Sequence, residues 1–120
     1  MRKLLLGLIS VAALAAAIGS TALAASPNVV HLSAPASGMM RYDQKVVRTH
    51  AGRIKIVFLN RSPLQHNVNV EHGETEFGKS ATIAKGTTTF FVTLKAGTYN
   101  FYCSVPGHEA AGMRGSLIVS

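Results

Sequence analysis

The chain has 120 residues, of which 12 are Lys or Arg and 5 are Asp or Glu, and its formal net charge is +7. This length suits one domain, and the basic residues form no run and are not interleaved with aromatic side chains, so the composition argues against nucleic-acid binding. The positive charge favours an acidic protein partner or an anionic membrane surface, which it would attract by long-range steering.

The first 24 residues predict a secretory signal peptide. A basic N-terminus precedes an apolar run at 4–18, and an A-x-A cleavage pattern ends it at 22–24. We expect cleavage after Ala24, or after Ala25 as the near alternative, and one mature domain over 25–120. A retained membrane anchor is the other interpretation, but the run is shorter than the ~20 residues that a spanning helix needs. We therefore expect an exported protein, periplasmic or on the outer cell face, that does not span a membrane.

The rest of the chain predicts short β-strands and no long helix. The segment 53–60 is the clearest, because Ile54, Ile56 and Phe58 alternate with other residues as on one face of a strand. The segment 72–81 is rich in glycine and charge, which predicts a long loop. The predicted strands are 28–33, 45–49, 53–60, 66–71, 87–94, 98–104 and 113–119. About seven short strands separated by turns predict an all-β sandwich or barrel.

Cys103 is the only cysteine in the chain. Cysteines of exported proteins usually pair in their oxidising compartment, and this one has no partner within the chain. Its possible roles are an intermolecular bridge, a reactive thiol or a metal ligand.

The residues that follow Cys103 favour the metal-ligand role. His108 lies in the loop after the predicted strand 98–104, and Met113 begins the next strand, so a hairpin-like return would bring the three side chains to one end of the sandwich. His66 opens an earlier strand after a proline-containing loop and would lie at a strand end as well. Two His, one Cys and a weak axial Met form the ligand set of a blue-copper electron-transfer site.

Other chemistries fit these residues less well. Structural zinc usually has four firm ligands with more cysteines, and a binuclear copper centre would need a second cysteine on this loop. A nucleophilic Cys103–His108 pair would leave Met113 without a role, and no carboxylate in the sequence is clearly paired with a site histidine. The remaining histidines are predicted to lie on the surface: His31, His50 and His72.

At these residues the sequence resembles the cupredoxins, the small blue copper proteins that include plastocyanin, azurin, auracyanin and rusticyanin. The resemblance implies a Greek-key β-sandwich or barrel of seven to eight strands and one type 1 copper ion per chain. It also implies three strong copper ligands, His66, Cys103 and His108, with Met113 as the axial ligand. The matching motifs are Gln65-His66-Asn67-Val68, 97-GTYNFYCSVPGH-108 and Gly112-Met113-Arg114-Gly115.

The resemblance extends to the surroundings of the copper ligands. It implies that the main-chain N–H of Asn67 donates a hydrogen bond to the Cys103 sulfur, and that the Asn67 side chain bonds to Ser104. It further implies that an apolar surface surrounds His108, where electrons would leave. The residues expected on that surface are Pro63, Leu64, Val105, Pro106, Ala110 and Ala111.

The function implied by the resemblance is single-electron transfer between redox proteins, such as a cytochrome or a terminal oxidase or reductase, by a monomer that is not an enzyme. A periplasmic protein for copper delivery or resistance is the alternative, because it would use the same pocket without fast redox cycling. Nitrite reduction or multicopper oxidation would require further copper sites and domains, for which this chain is too short.

Overall fold

The computed structural model describes residues 12–17, 19 and 28–120, so most of the predicted signal peptide lies outside the described residues, together with its cleavage site. Within the described residues the chain forms eight strands and no helix. A membrane-spanning helix of sufficient length and hydropathy is accordingly not found among them. The strands are β1 (Asn28–Ala34), β2 (Val46–Thr49), β3 (Gly52–Asn60), β4 (Asn69–His72), β5 (Thr75–Lys79), β6 (Gly86–Leu94), β7 (Gly97–Tyr102) and β8 (Arg114–Val119).

The strands form two sheets that pack as a sandwich. One sheet has three strands in the order β1-β3-β6, and the other has five in the order β2-β8-β7-β4-β5. The β1–β3 and β2–β8 pairs are parallel, and the other pairs are antiparallel. The predicted all-β sandwich is confirmed, with eight strands where the sequence predicted about seven.

The core consists of the inward faces of both sheets. The alternation predicted for β3 is present, because Ile54, Ile56 and Phe58 are each at most 1% exposed. Burial of an aliphatic or aromatic side chain of this size contributes roughly 1.5–3 kcal/mol, so these rows hold the two sheets together. The other buried apolar residues of the strands are Val30, Leu32, Ala34, Val70, Val92, Leu94, Tyr99, Phe101, Leu117 and Val119.

The loop predicted for residues 72–81 is wrong, because β5 occupies Thr75–Lys79. This strand lies at the edge of its sheet and pairs only with β4, so most of its side chains are exposed and its sequence lacks apolar alternation. Gly78 lies close to β6, where a β-carbon would stand 2.8 Å from Val92 Cγ1. Charge and glycine therefore mark an edge strand here.

The predicted strand 66–71 begins later than expected, at Asn69. His66 instead forms an isolated bridge with Ile83, in which each main-chain N–H donates to the other's carbonyl at 3.0 Å. Beside it, the Val68 N–H donates to the Ser80 hydroxyl oxygen at 2.9 Å. A side-chain oxygen thus accepts the hydrogen bond that a main-chain carbonyl would accept in a regular sheet. His66 is thereby held at the end of the sandwich, as its predicted site requires.

The ends of β7 and β8 bring the remaining site residues together. Cys103 directly follows β7 and Met113 directly precedes β8, and the Cys103 N–H donates to the Met113 carbonyl at 3.1 Å. Close approach of these strands to the chain before β2 depends on Gly115. A β-carbon there would overlap the Phe101 ring and lie 2.6 Å from the Lys45 carbonyl oxygen.

Candidate metal centre

Three metal-binding side chains meet at this end of the sandwich. The Nδ1 atoms of His66 and His108 are 3.0 Å apart, and the Cys103 sulfur lies 3.6 Å from His108 Nδ1. One nitrogen from each histidine and the sulfur all lie within 4.8 Å of one another. Two imidazole nitrogens at this separation need a proton or a cation between them, because facing lone pairs repel. The arrangement thus joins the three residues that the sequence predicted as strong ligands.

The loop between Cys103 and Met113 is wound into consecutive turns that direct His108 inward. The His108 N–H donates to the Val105 carbonyl at 3.0 Å, and the Met113 N–H donates to the His108 carbonyl at 3.0 Å. Gly107 and Gly112 have φ angles of 84° and 111°, in the left-handed region that favours glycine. The positions of these glycines in the sequence therefore fix the path of the loop.

Burial is nearly complete at the centre. His66, Cys103 and Met113 have no exposed surface, whereas 8% of His108 remains exposed, so His108 is the ligand candidate that reaches solvent. Burial raises the pKa of the Cys103 thiol, although main-chain N–H groups of Asn67 and Val105 hydrogen-bond the sulfur and act in the opposite direction. Burial also lowers the pKa of His66, with a contribution from neighbouring His108.

Asn67 connects the sulfur to the surrounding chain. Besides its main-chain hydrogen bond to Cys103, its side-chain amide donates to the Ser104 hydroxyl at 2.9 Å, and its side-chain oxygen accepts the Ser104 N–H at 2.8 Å. Both contacts implied by the cupredoxin resemblance are therefore present. Asn67 is only 5% exposed, so it is not a solvent-facing residue.

Other groups around Asn67 were not predicted from the sequence. The Tyr42 hydroxyl donates to the Asn67 carbonyl at 2.6 Å, the Asn67 amide donates to the Thr82 hydroxyl at 2.9 Å, and the Asn69 amide donates to the Asn67 side-chain oxygen at 2.9 Å. Tyr42 and Thr82 come from segments that no spacing rule connects to Asn67, whereas Asn69 follows Asn67 by two residues and so lies on the same face of an extended chain. The hydrogen bond from the Val105 N–H to the Cys103 sulfur was not predicted either. It could have been, because Val105 lies in the turn directly after Cys103.

The residues expected on an apolar surface around His108 are accessible to solvent in the structure. Val105 is half-buried, and the other five predicted residues are exposed. The structure adds Met39 and Met40, which are 56% and 39% exposed and line a depression of about 460 Å³ together with Ala111 and Gly112 of the ligand loop. We call this combined surface the apolar patch: Met39, Met40, Pro63, Leu64, Val105, Pro106, Ala110 and Ala111.

Cationic side chains border the apolar patch. Arg41 and Lys45 line the same depression as the two methionines, and Arg61 lies two residues before Pro63, the first patch residue of the β3–β4 connection. Asp43 accepts ion pairs from Arg61 at 2.7 Å and from Arg41 at 3.6 Å, so one carboxylate faces two guanidinium groups. The border of the patch retains a net positive charge.

Comparison with known proteins agrees with this geometry. The sequence profile described as copper binding proteins of the plastocyanin/azurin family matches residues 29–120. The chain belongs to the plastocyanin/azurin family of copper-binding proteins. A plastocyanin of Capsella bursa-pastoris is 36% identical over 76 residues, covering 55% of this chain and 75% of that protein.

Solved structures share the fold of this cupredoxin. An auracyanin of the photosynthetic bacterium Roseiflexus castenholzii matches with a TM-score of 0.71 at 24% identity, covering 81% of this chain and 99% of that one. Auracyanin A of Chloroflexus aurantiacus, a blue copper protein, matches with a TM-score of 0.69 at 24% identity, covering 79% and 100% of the two chains. These similarities confirm the predicted cupredoxin fold.

The donor set of this cupredoxin fits copper, the metal of its family. A thiolate sulfur and two imidazole nitrogens within 4.8 Å of one another, with no carboxylate in the group, are soft and borderline donors. None of His31, His50 and His72 belongs to this group, and all three are exposed, as the sequence predicted.

The lowered pKa of His66 predicts that the metal-free protein loses stability in mild acid. Because the unfolded chain binds a proton at an ordinary histidine pKa of about 6.5 and the folded protein binds it only at lower pH, the free energy of unfolding should fall as pH drops below about 7. The fall should level out below the folded pKa, with a slope of up to about 1.4 kcal/mol per pH unit for one group. Urea unfolding at a series of pH values measures this.

A matched pair of variants assigns the effect to its residue. His66→Gln should flatten the pH dependence between pH 7 and the lower folded pKa, whereas His50→Gln, at an exposed position away from the site, should leave it unchanged. An identical slope in wild type and His66→Gln would show that burial of His66 does not cause the loss.

Proposed function

We propose that this cupredoxin carries single electrons between redox proteins. It would bind one copper ion through His66, Cys103, His108 and Met113, and the bound copper would supply the Cu(II)/Cu(I) couple. The observation that carries the proposal is the buried group of one thiol and two imidazoles, completed by a buried methionine whose main chain pairs with Cys103.

The protein would contribute a fixed set of donors. Cys103 and Met113 are held by the ends of paired strands, His66 by its bridge to Ile83, and His108 by the turns of the ligand loop. Because each side chain is positioned by main-chain hydrogen bonds, little has to move when the charge at the site changes. A small rearrangement favours fast electron exchange.

His108 is the proposed exit for the electron. It is the one member of the buried group with exposed surface, and four patch residues flank it in the ligand loop: Val105, Pro106, Ala110 and Ala111. Small apolar side chains around an imidazole edge suit a brief contact with another protein, since complexes of redox proteins have small interfaces. We propose that the chain acts as a monomer in these encounters.

The partner should be an acidic redox protein, such as a cytochrome or a terminal oxidase or reductase. Arg41, Lys45 and Arg61 border the apolar patch and would attract acidic surfaces, which raises association rates without requiring a permanent complex. We propose no catalytic activity for the protein itself, because four protein donors would leave no open metal position for a substrate.

The absorption and electron-paramagnetic-resonance spectra test the proposed site. Adding one equivalent of Cu(II) to the purified protein should give an intense blue band and an unusually narrow copper hyperfine splitting. Both features should disappear in Cys103→Ser, because they depend on the thiolate, and should persist in His72→Gln, at an exposed histidine outside the site. A pale spectrum that is the same in Cys103→Ser would refute the blue-copper site and leave the copper-delivery function as the better explanation.

Electron self-exchange between oxidised and reduced copies tests the apolar patch. Ala111→Asp should slow self-exchange about tenfold or more, because the contact would have to desolvate a carboxylate. Ala96→Asp introduces the same charge at an exposed position in the β6–β7 turn, at the far end of the sandwich, and should have little effect. Equal rates for the two variants would exclude the patch as the exit.

We also propose export with removal of the leader. Intact-mass measurement of the exported protein should give a chain that begins at Ala25, because the A-x-A pattern ends at Ala24. Ala24→Phe should block the cut by placing a large residue where a small one is needed, and Ser26→Ala should not. A wild-type chain that keeps Met1 would instead support the retained anchor.

A further inference from the structure

Tyr42 is buried between the two sheets next to the metal centre. It is 1% exposed, and its ring packs edge-to-face against Phe58 of β3 and Phe101 of β7, with centroid separations of 5.8 and 5.2 Å. Burial is the main cause that raises the pKa of Tyr42 far above its ordinary value, so the phenol stays protonated and acts as a donor. A purely apolar core position would be filled equally well by phenylalanine.

The hydroxyl of Tyr42 has one specific partner, the main-chain carbonyl of Asn67 at 2.6 Å. The opposite side of the same residue, its N–H, donates to the Cys103 sulfur. The Asn67 side chain is separately engaged with Thr82, Asn69 and Ser104. Tyr42 therefore supplies the hydrogen bond to the Asn67 carbonyl, while the other groups restrain the Asn67 side chain.

We propose that Tyr42 is a positioning residue for the Cys103 thiolate, acting through the Asn67 main chain. With the hydroxyl in place, the Asn67 carbonyl is tethered to the core and its N–H is aimed at the sulfur. Without the hydroxyl, the Asn67 carbonyl is buried with no hydrogen-bond donor, which costs free energy. The main chain is then expected to shift toward another donor, and this shift would weaken the N–H···S bond. The effect on the metal rests on the proposed copper site, whereas the effect on the Asn67 N–H does not.

A weaker N–H···S bond should favour the oxidised protein. A hydrogen bond to the thiolate withdraws electron density from the sulfur and makes it a poorer donor, which disfavours Cu(II) more than Cu(I). Loss of the tether should thus shift the redox equilibrium toward the oxidised form. If the weakening amounts to the loss of one typical hydrogen bond, we expect a shift of roughly 2–13-fold in the equilibrium constant.

The decisive variant is Tyr42→Phe, which removes the hydroxyl and keeps the ring. The chain offers a matched control in Tyr99→Phe, because the Tyr99 hydroxyl also donates to a main-chain carbonyl, that of Lys95 at 2.8 Å, and Tyr99 is also buried at 8% exposed. Tyr99 lies at the start of β7, remote from Cys103 at its other end. Each variant loses one hydrogen bond from a tyrosine hydroxyl to a main-chain carbonyl, but only Tyr42→Phe loses a bond to Asn67.

Two measurements separate positioning from simple stability. In the metal-free protein, hydrogen exchange at the Asn67 N–H, relative to the core amides of β3, should be about tenfold faster in Tyr42→Phe and unchanged in Tyr99→Phe. In the copper-loaded protein, equilibration with the ferricyanide/ferrocyanide couple should shift toward the oxidised protein in Tyr42→Phe alone. If Tyr42→Phe lowers the unfolding midpoint but leaves relative Asn67 exchange and the redox equilibrium as in Tyr99→Phe, Tyr42 is only a core residue and the proposal is overturned.

The metal-free measurement also keeps this proposal distinct from the proposed function. If copper gives no blue site, electron carriage fails, and faster Asn67 exchange in Tyr42→Phe would still establish the tether to the residue that bonds Cys103. If the blue site forms normally and both readouts are unchanged, electron carriage stands and the role of Tyr42 is refuted.

Discussion

The hydrogen bonds of Asn67 are the contacts on which the metal centre depends. Its main chain reaches the Cys103 sulfur on one side and the Tyr42 hydroxyl on the other, and its side chain joins the ligand loop at Ser104. The site therefore joins chain segments that are far apart in sequence. The candidate ligands lie at the ends of strands, where the hydrogen bonding between neighbouring strands stops. Other hydrogen bonds, such as those of Asn67, are therefore needed to hold these chain segments together. These hydrogen bonds are present in the metal-free chain, so the donor side chains would already be positioned when copper binds.

Burial has two opposite consequences at this centre. It disfavours charge on Cys103 and on His66 when no metal is present, so the empty pocket is most stable with a thiol and a neutral imidazole. A bound cation would reverse this preference for the thiol, because copper binding replaces the thiol proton and supplies the missing positive charge. The same apolar surroundings thus keep the empty site neutral and strengthen electrostatic contacts within the loaded one. Among the four candidate donors, only His108 has any surface exposed to solvent.

Much of the centre could be predicted from the sequence because its residues carry distinctive chemistry. Cys103, His108 and Met113 lie on one short loop between two strands, and the alternation in β3 follows directly from burial of one face. The strand β5 was missed because edge strands have no buried face to impose alternation. Tyr42 was missed for a different reason: its partner Asn67 lies 25 residues away, and only the packing of the two sheets brings them together. Local patterns predict donors well, whereas contacts that hold the donors in place depend on tertiary structure.

The two exposed methionines beside the ligand loop have a further chemical consequence. A thioether in contact with solvent is readily oxidised to a sulfoxide, which is polar and strongly hydrated. Met39 and Met40 are open to this reaction, whereas Met113 is fully enclosed by the sandwich. Mild peroxide would therefore make the proposed contact surface polar while sparing the thioether of Met113 in the interior. Such damage would leave the proposed copper ligands intact and impair only the proposed contacts with redox partners, a lesion that methionine sulfoxide reductases could repair.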